Sequence, residues 1–188
     1  MALLRQWLIA LLCSLFLPNA FSQEEPKAEN PYRVEAAFLR NFARYVTWPT
    51  QAFPKDHSPW RVGVLGQDPF GELLEKTLEG RTEKGRPFEI FRASTLDKLP
   101  ACHIVFIAYG DAEKRRTALN ELRDEPVLTV SNEPDFLDEG GIILLDVKDR
   151  ILMSVNLDQA RAASLTIQTK MLEVSRNVME NGVLRKVN

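Results

Sequence analysis

Apolar residues recur every four positions near the start of the folded part of the chain, which we expect to begin at Asn30–Pro31. This spacing gives the segment one apolar side and predicts an amphipathic helix. The helix should end before Trp48, because Pro49 disfavours helical backbone at the residue that precedes it. The stripe consists of Val34, Phe38, Phe42 and Val46, with Ala37, Leu39 and Tyr45 beside them.

The middle of the chain alternates short apolar runs with segments of helical character. Asp68–Pro69 opens the first of these helices, with Asp68 as its cap and proline at its first position. A second helix is predicted over residues 111–124. Strands and helices that alternate in this way form a mostly parallel sheet with helices on both faces. The predicted strands are Trp60–Gly66, Pro87–Phe91, His103–Ala108 and Pro126–Val130.

The carboxyl-terminal part breaks this alternation. Two apolar runs, 142–147 and 151–155, flank a tight turn at Lys148–Arg150, which predicts an antiparallel hairpin at one edge of the sheet. The segment Leu157–Glu180 contains no glycine or proline and has apolar residues three or four apart, which predicts one long helix, or two with a break near Ser164. The predicted fold class is therefore α/β: a single three-layer domain whose mostly parallel twisted sheet follows an amphipathic helix.

The first 22 residues have the pattern of a secretory signal peptide. One positive charge precedes an apolar run that is shorter than the roughly 20 residues a bilayer requires, and small residues stand at the expected cleavage site after Ser22. Residues 23–30 are polar and read as a disordered lead-in to a domain over 31–188. These features predict a periplasmic protein that is not inserted in the membrane after cleavage.

Charge and cysteine content narrow the classes of partner. The formal net charge is −2, and loss of Arg5 with the signal peptide makes it more negative, which argues against binding to nucleic acid. Cleavage also removes Cys13, so Cys102 cannot form an intramolecular disulfide. A buried apolar role for Cys102 is favoured, and an intermolecular disulfide is the alternative.

Groups that could carry a reaction are few. Cys102 and His103 are adjacent on a predicted strand, where successive side chains point to opposite faces, so they make a poor nucleophile and base. The sequence has no zinc-binding motif, and the glycine-rich turn at 63–71 matches no phosphate-binding motif. A structural turn is favoured there, with ligand contact as the alternative. We therefore predict neither an enzyme nor a resident metal or cofactor.

Several segments, in a fixed order, resemble the YfiR-like periplasmic proteins. The resemblance covers roughly residues 32–178, nearly the whole predicted domain. The sequence departs from the pattern at Ser164, where relatives often have glycine, and at Gln168–Thr169, where they have two serines. The segments that carry the resemblance are 36–49, 62–70, 102–107, 128–131, the Gly140–Ile142 turn, 155–157 and 160–161.

The resemblance implies a repressor that holds down a YfiN-type inner-membrane diguanylate cyclase by binding its periplasmic domain, so that cyclic di-GMP stays low and biofilm formation is restrained. A sensor module that binds a small molecule for a kinase or transporter is the alternative, and it predicts a pocket near Gly66 and Gly110. A homodimer is compatible with either function.

Two arginines on the first helix are the most prominent candidates for contact with a partner or ligand. Arg40 and Arg44 lie one turn apart without an acid between them, which is unfavourable unless an anionic group is near. That group could be an acid elsewhere in the fold, a ligand carboxylate or a partner, and a solvated face is the simpler interpretation. The candidate contact residues are Arg40, Asn41, Arg44, Trp48 and Asn156.

Overall fold

The computed structural model describes residues 30–147 and 151–187. The predicted signal peptide, all but the last residue of the lead-in and the turn at Lys148–Arg150 lie outside these residues. The first element is helix α1, Pro31–Tyr45. Asn30 caps it by accepting a hydrogen bond from the backbone N–H of Tyr32 at 3.0 Å. The amphipathic helix is therefore confirmed, and it ends at Tyr45, immediately before strand β1 (Val46–Thr47).

A nine-stranded sheet forms the body of the molecule, in the order β11-β10-β8-β7-β6-β5-β2-β4-β3. A separate antiparallel pair, β1 with β9, joins the end of α1 to the carboxyl-terminal part of the chain. The strands are β1 (Val46–Thr47), β2 (Trp60–Gly66), β3 (Thr82–Glu83), β4 (Arg86–Ala93), β5 (Ile104–Ala108), β6 (Leu128–Ser131), β7 (Ile143–Val147), β8 (Ile151–Asn156), β9 (Thr166–Ile167), β10 (Asn177–Glu180) and β11 (Val183–Lys186).

The central strands β4, β2, β5, β6 and β7 are parallel. The chain passes from β2 outward to β4 through helix α2 (Glu72–Leu78), and then returns to β5 on the other side of β2. Helix α3 (Ala112–Leu122) connects β5 to β6 on the opposite face. The connections from β2 and from β5 therefore run in opposite directions along the sheet, which creates a crevice at the carboxyl ends of these two strands. Open α/β sheets bind ligands at such a crevice.

Alternate residues of the buried strands supply two apolar cores, one on each face of the sheet. Val64 and Phe106 pack with α1 and α2 on one face, whereas Leu65 and Ile107 pack with α3 on the other. The three-layer α/β fold is therefore confirmed. The antiparallel hairpin is present as β7 with β8, and the sheet continues past it through β10 and β11.

The prediction of one long helix over Leu157–Glu180 is wrong, whereas the alternative of two helices with a break near Ser164 holds as far as Glu173. Helix α4 (Leu157–Ala162) stops before Ser164, whose φ of +57° is left-handed, and β9, helix α5 (Thr169–Glu173) and β10 follow. The apolar stripe misled because Val178 is buried as a strand residue paired with Val155. The β10–β11 hairpin turns at Asn181–Gly182, and the carboxylate of Asp158 accepts both of their backbone N–H groups.

The predicted helix cap at Asp68 is also wrong. The helix begins at Glu72, and Asp68 instead accepts the backbone N–H of Phe70 at 2.8 Å within the preceding turn. The turn is longer because Phe70 enters the core, where its ring meets Phe106 edge-on with centroids 4.8 Å apart. Across residues 30–147 and 151–187, no helix has both the length and the apolar character that crossing a membrane requires.

Candidate functional site

Two of the predicted contact residues lie in the interior. Trp48 is 6% exposed, donates its indole N–H to the carbonyl of His103 at 3.2 Å, and packs edge-on against Trp60. Asn156 is 3% exposed and caps helix α4 by accepting the backbone N–H of Gln159 at 3.1 Å. Both side chains have structural partners in these positions.

The two arginines of α1 differ in their surroundings. Arg44 is half exposed and forms two hydrogen bonds with the carboxylate of Glu83, at 2.7 and 3.0 Å. Hydrogen bonding and the charge of Glu83 raise the pKa of Arg44. The anionic neighbour of Arg44 is therefore an acid elsewhere in the fold. Arg40 is partly buried, and its Nε lies in the interior without a hydrogen-bond partner among the described residues.

An open groove separates α1 from α5, and we call it the docking groove. Its volume is about 430 Å³, and most of its wall is apolar. Val174 lies at its edge with 70% of its surface exposed, although the side chain is fully apolar. Asn41, one of the predicted contact residues, also lines it. The full lining is Phe38, Asn41, Phe42, Tyr45, Met153, Lys170, Met171, Glu173 and Val174.

One end of the docking groove, at the last turn of α1, is held by contacts with the backbone. Val46 pairs with Ile167 in the β1–β9 ladder, and the amide of Gln168 donates to the carbonyls of α1 through both its backbone and its side chain. On the other side, Lys84 donates to the carbonyl of Val46 at 3.0 Å. The bonds from β9 and Gln168 hold the last turn of α1 against the segment that precedes α5, so this end of the groove is a preformed feature of the fold.

A second concave surface lies in the crevice at the carboxyl ends of β2, β5 and β6, and we call it the switch cavity. It has a volume of about 400 Å³. A neighbouring hollow of about 480 Å³ shares Gln67, Ala108 and Gly110 with it and reaches Gly66. The pocket predicted near Gly66 and Gly110 is thus present. The lining of the switch cavity is Tyr32, Gln67, Asp68, Pro69, Phe106, Ala108, Gly110, Asn132 and Glu133.

The chain can form this crevice because of Gly66. Its φ of +104° is a conformation that residues with a side chain rarely adopt. An added Cβ would also lie 2.8 Å from the ring of Tyr109 and 3.0 Å from the carbonyl oxygen of Ala108. Across the crevice, the buried guanidinium of Arg115 donates to the carbonyls of Tyr109 and Gly110, each at 2.9 Å, and so fixes the loop after β5.

Glu35 lies behind the wall of the switch cavity and was not singled out from the sequence. Its side chain is completely buried, and its Oε1 accepts a hydrogen bond from the Asn132 amide at 3.2 Å. Its Oε2 is buried with no hydrogen-bond partner among the described residues. Burial raises the pKa of Glu35 to about 7, against a smaller opposing effect of Asn132. The missed signal was an acid spaced four and seven residues before Leu39 and Phe42, on the buried face of the helix.

Cys102 and His103 have the structural roles that were favoured from the sequence. Cys102 is buried and donates its thiol to the carbonyl of Pro100, and burial raises its pKa to about 12. His103 accepts the backbone N–H of Arg61 at Nδ1, and its Nε2 lies 3.1 Å from the carbonyl of Ala52. Both ring nitrogens are therefore engaged by the backbone. Within the described part of the chain, no three His, Cys, Asp or Glu side chains cluster as metal ligands.

Comparison with known protein families assigns the chain to a family. No curated protein matches the sequence. The sequence profile of the YfiR/HmsC-like family matches residues 32–176. The matched segment runs from α1 to the residue before β10, and so includes the docking groove and the switch cavity. Because the match covers well over half of the chain, the protein belongs to the YfiR/HmsC-like family.

Proposed function

We propose that this protein is a periplasmic regulator that binds the periplasmic domain of an inner-membrane diguanylate cyclase and represses it, which keeps cyclic di-GMP low. Membership of the YfiR/HmsC-like family supports the regulatory role. The observation that carries the proposal is the docking groove, an apolar surface left open on the matched part of the chain. An apolar groove of this kind can accept an apolar anchor side chain from a partner protein.

The composition of the groove suits an anchor from a partner. Two phenylalanines and a tyrosine of α1 form one side, and two methionines contribute adaptable apolar surface on the other. Burying the exposed surface of Val174 against an apolar side chain of the cyclase would add hydrophobic stabilisation that the isolated chain lacks. The polar side chains of the lining, Asn41, Lys170 and Glu173, would then set the orientation of the partner.

Repression by binding needs no reacting group in this chain. The complex suppresses activity if the regulator binds the inactive conformation of the cyclase domain more tightly than the active one. A shift from an equal mixture of the two conformations to 1:99 requires a difference in affinity of about 100-fold. Release follows when a ligand or another protein competes for the bound state. The preformed groove fits this role because little conformational freedom is lost on docking.

The experiment that tests this function is affinity capture from detergent-solubilised inner membrane, with the protein as bait. We expect a diguanylate cyclase with a periplasmic domain to be retained. Val174→Asp should weaken retention by at least about 30-fold, because it places a charge in the apolar contact, where hot-spot losses reach about 2 kcal/mol or more. In cells that lack the regulator, the wild-type gene should lower cyclic di-GMP, and the Val174→Asp gene should not.

Val183→Asp is the matched control. Val183 is 52% exposed, but it belongs to β11 and does not line the groove. Retention by this variant should equal that of the wild type, and thermal unfolding of both variants would show that they are folded. Equal loss in both variants, or capture of no cyclase, would contradict the proposal.

The switch cavity favours a second candidate function, a sensor module that binds a small molecule for a kinase or transporter. Its volume of about 400 Å³ falls in the range of ligand sites, and it lies at the topological switch point of the sheet. Under this function, affinity capture would retain a kinase or transporter instead of a cyclase. Stabilisation of the purified chain by a small molecule would support it independently of any partner.

A further inference from the structure

The switch cavity has an unusually acidic setting. Asp68 and Glu133 stand on its wall, and lysine and arginine side chains do not line it among the described residues. Two arginines lie behind these acids, with Arg92 bound to Asp68 at 2.6 Å and Arg115 at 3.3 Å from Glu133. The acids of the wall are therefore held in place by cations that do not themselves face the cavity.

Each of these arginines is shared with a second carboxylate. Arg92 also binds Glu75 at 2.6 Å, and Arg115 binds Glu139 at 2.7 Å. Arg116 adds a 3.8 Å contact to Glu139, but its side chain is more than half exposed. The acids around the cavity thus outnumber the cations even before Glu35 is counted. An anionic ligand is disfavoured, and Pro69 removes one of the backbone N–H donors that an anion would use.

Glu35 supplies a second, independent indication of a ligand. A completely buried carboxyl oxygen without a hydrogen-bond partner is costly, so native structures rarely contain one. Among the described residues, the side chain that hydrogen-bonds Glu35 is that of Asn132, which lines the cavity. Tyr32, one turn earlier on α1, lines it too. Rotation of the Asn132 side chain would therefore open the Glu35 carboxylate to the cavity.

We propose that the switch cavity binds the primary ammonium group of a small amine, with Glu35 as the buried acceptor and Asn132 as the side chain that admits it. A primary ammonium has three N–H donors and no acceptor, which matches a site rich in carboxylate and amide oxygens. The charge of the ligand would offset the cost of ionising Glu35 in the interior. Asp68 and Glu133 at the wall would attract the cation and disfavour ligands that carry a carboxylate of their own.

This inference deepens the second candidate function and is independent of the first. The probe is putrescine, titrated into the purified full chain by calorimetry and by thermal unfolding. At a concentration of 100 times its Kd, we expect the unfolding midpoint to rise by about 5–10 °C. Tetramethylammonium, which has the charge but no N–H, and 1,4-butanediol, which has the length but no charge, should leave the midpoint unchanged.

The role of Glu35 is tested by Glu35→Gln, with Glu121→Gln as the same change at an exposed acid of α3. The first variant should lose at least tenfold in putrescine affinity, and the second should lose none. In the wild type the affinity should rise about tenfold from pH 6 to pH 8, because burial places the pKa of Glu35 near 7 and the ligand needs the ionised form. The pH dependence should vanish in Glu35→Gln.

Three results would overturn the inference: no stabilisation by putrescine, equal stabilisation by tetramethylammonium, or full affinity in Glu35→Gln. If that variant fails to fold, the pH dependence of the wild type still decides, because a flat affinity from pH 6 to pH 8 excludes Glu35 as the acceptor. Failure of the cyclase capture would leave all of these results unaffected, so the two proposals fail separately.

Discussion

Glu35 places a carboxyl group on the face of α1 that packs on the sheet, among apolar neighbours such as Leu39 and Phe42. A protonated carboxyl there is far less costly than a charged one, which is why burial raises its pKa from 4.5 to about 7. Between these two pH values, the Glu35 carboxyl is therefore protonated in the folded state and ionised in the unfolded state. Stability from this group is complete below about pH 4.5 and is lost as the pH rises through 7.

We expect the Glu35 carboxyl to cost the wild type about 3 kcal/mol of unfolding free energy between pH 5 and pH 8. Glu35→Gln keeps the shape of the side chain and removes the charge, so it should be more stable than the wild type at pH 8 and similar at pH 5. Urea denaturation at the two pH values measures this difference.

His103 acts in the opposite direction, because burial lowers its pKa and its stabilising contribution is lost as the pH falls. The comparison between wild type and variant cancels this effect, since both contain His103. A gap between the two proteins that does not widen from pH 5 to pH 8 would show that Glu35 does not titrate in this range.

At the same scale, the predicted contact residues show how far a sequence can distinguish buried side chains from exposed ones. The unpaired arginines indicated a nearby anion, and Arg44 does meet Glu83, although the two are 39 residues apart. Trp48 and Asn156 had no such signal, because an indole or an amide is equally suited to a surface or an interior. The fold decides their burial, whereas the contact of Arg40, Asn41 and Arg44 with a partner stays a prediction.

At the scale of elements, the periodicity of apolar residues predicted helices and strands well where the pattern fitted only one of the two. Helix α1 and strand β2 begin and end close to the expected residues because each is bounded by proline, glycine or a cap. The segment after Leu157 was ambiguous, since β9 and β10 are too short to show a clear alternation. Asn181–Gly182 was the available signal, because this pair is typical of a two-residue hairpin turn.

Ser164 terminates α4 in a conformation that favours glycine. At a φ of +57°, a residue with a Cβ is strained by about 1–2 kcal/mol, and glycine is not. Part of this advantage of glycine is offset, because glycine has more conformational freedom in the unfolded state. Ser164→Gly should therefore raise stability by about 1 kcal/mol and the unfolding midpoint by about 2–4 °C. Thermal unfolding followed by circular dichroism measures the shift.

Ser94→Gly is the control for this change. Ser94 is also exposed, but its φ is not positive, so glycine there should lower the midpoint slightly or leave it unchanged. A midpoint for Ser164→Gly at or below the wild-type value would mean that the left-handed residue is not strained. The termination of α4 would then need another cause, such as the burial of Leu165 that follows it.

At the scale of the whole molecule, α1 connects the two concave surfaces. Its first turns bring Tyr32 and Glu35 to the switch cavity, and its later turns bring Asn41 and Tyr45 to the docking groove. The helix has 15 residues without proline or glycine after its first position, so it moves as one body. A change in the packing of its first half is therefore transmitted to its second half.

This connection predicts that a ligand in the switch cavity changes docking at the groove. A cation inserted beside Glu35 adds volume beneath the first half of α1, and the resulting tilt alters the spacing between α1 and α5 on which the groove depends. We expect saturating putrescine to reduce cyclase capture by at least fivefold, the lower end of typical allosteric coupling. By reciprocity, the cyclase domain should weaken putrescine binding by the same factor. Cyclase capture by Glu35→Gln should equal that of the wild type without ligand and should not change when putrescine is added. If putrescine also left capture by the wild type unchanged, the two surfaces would act independently.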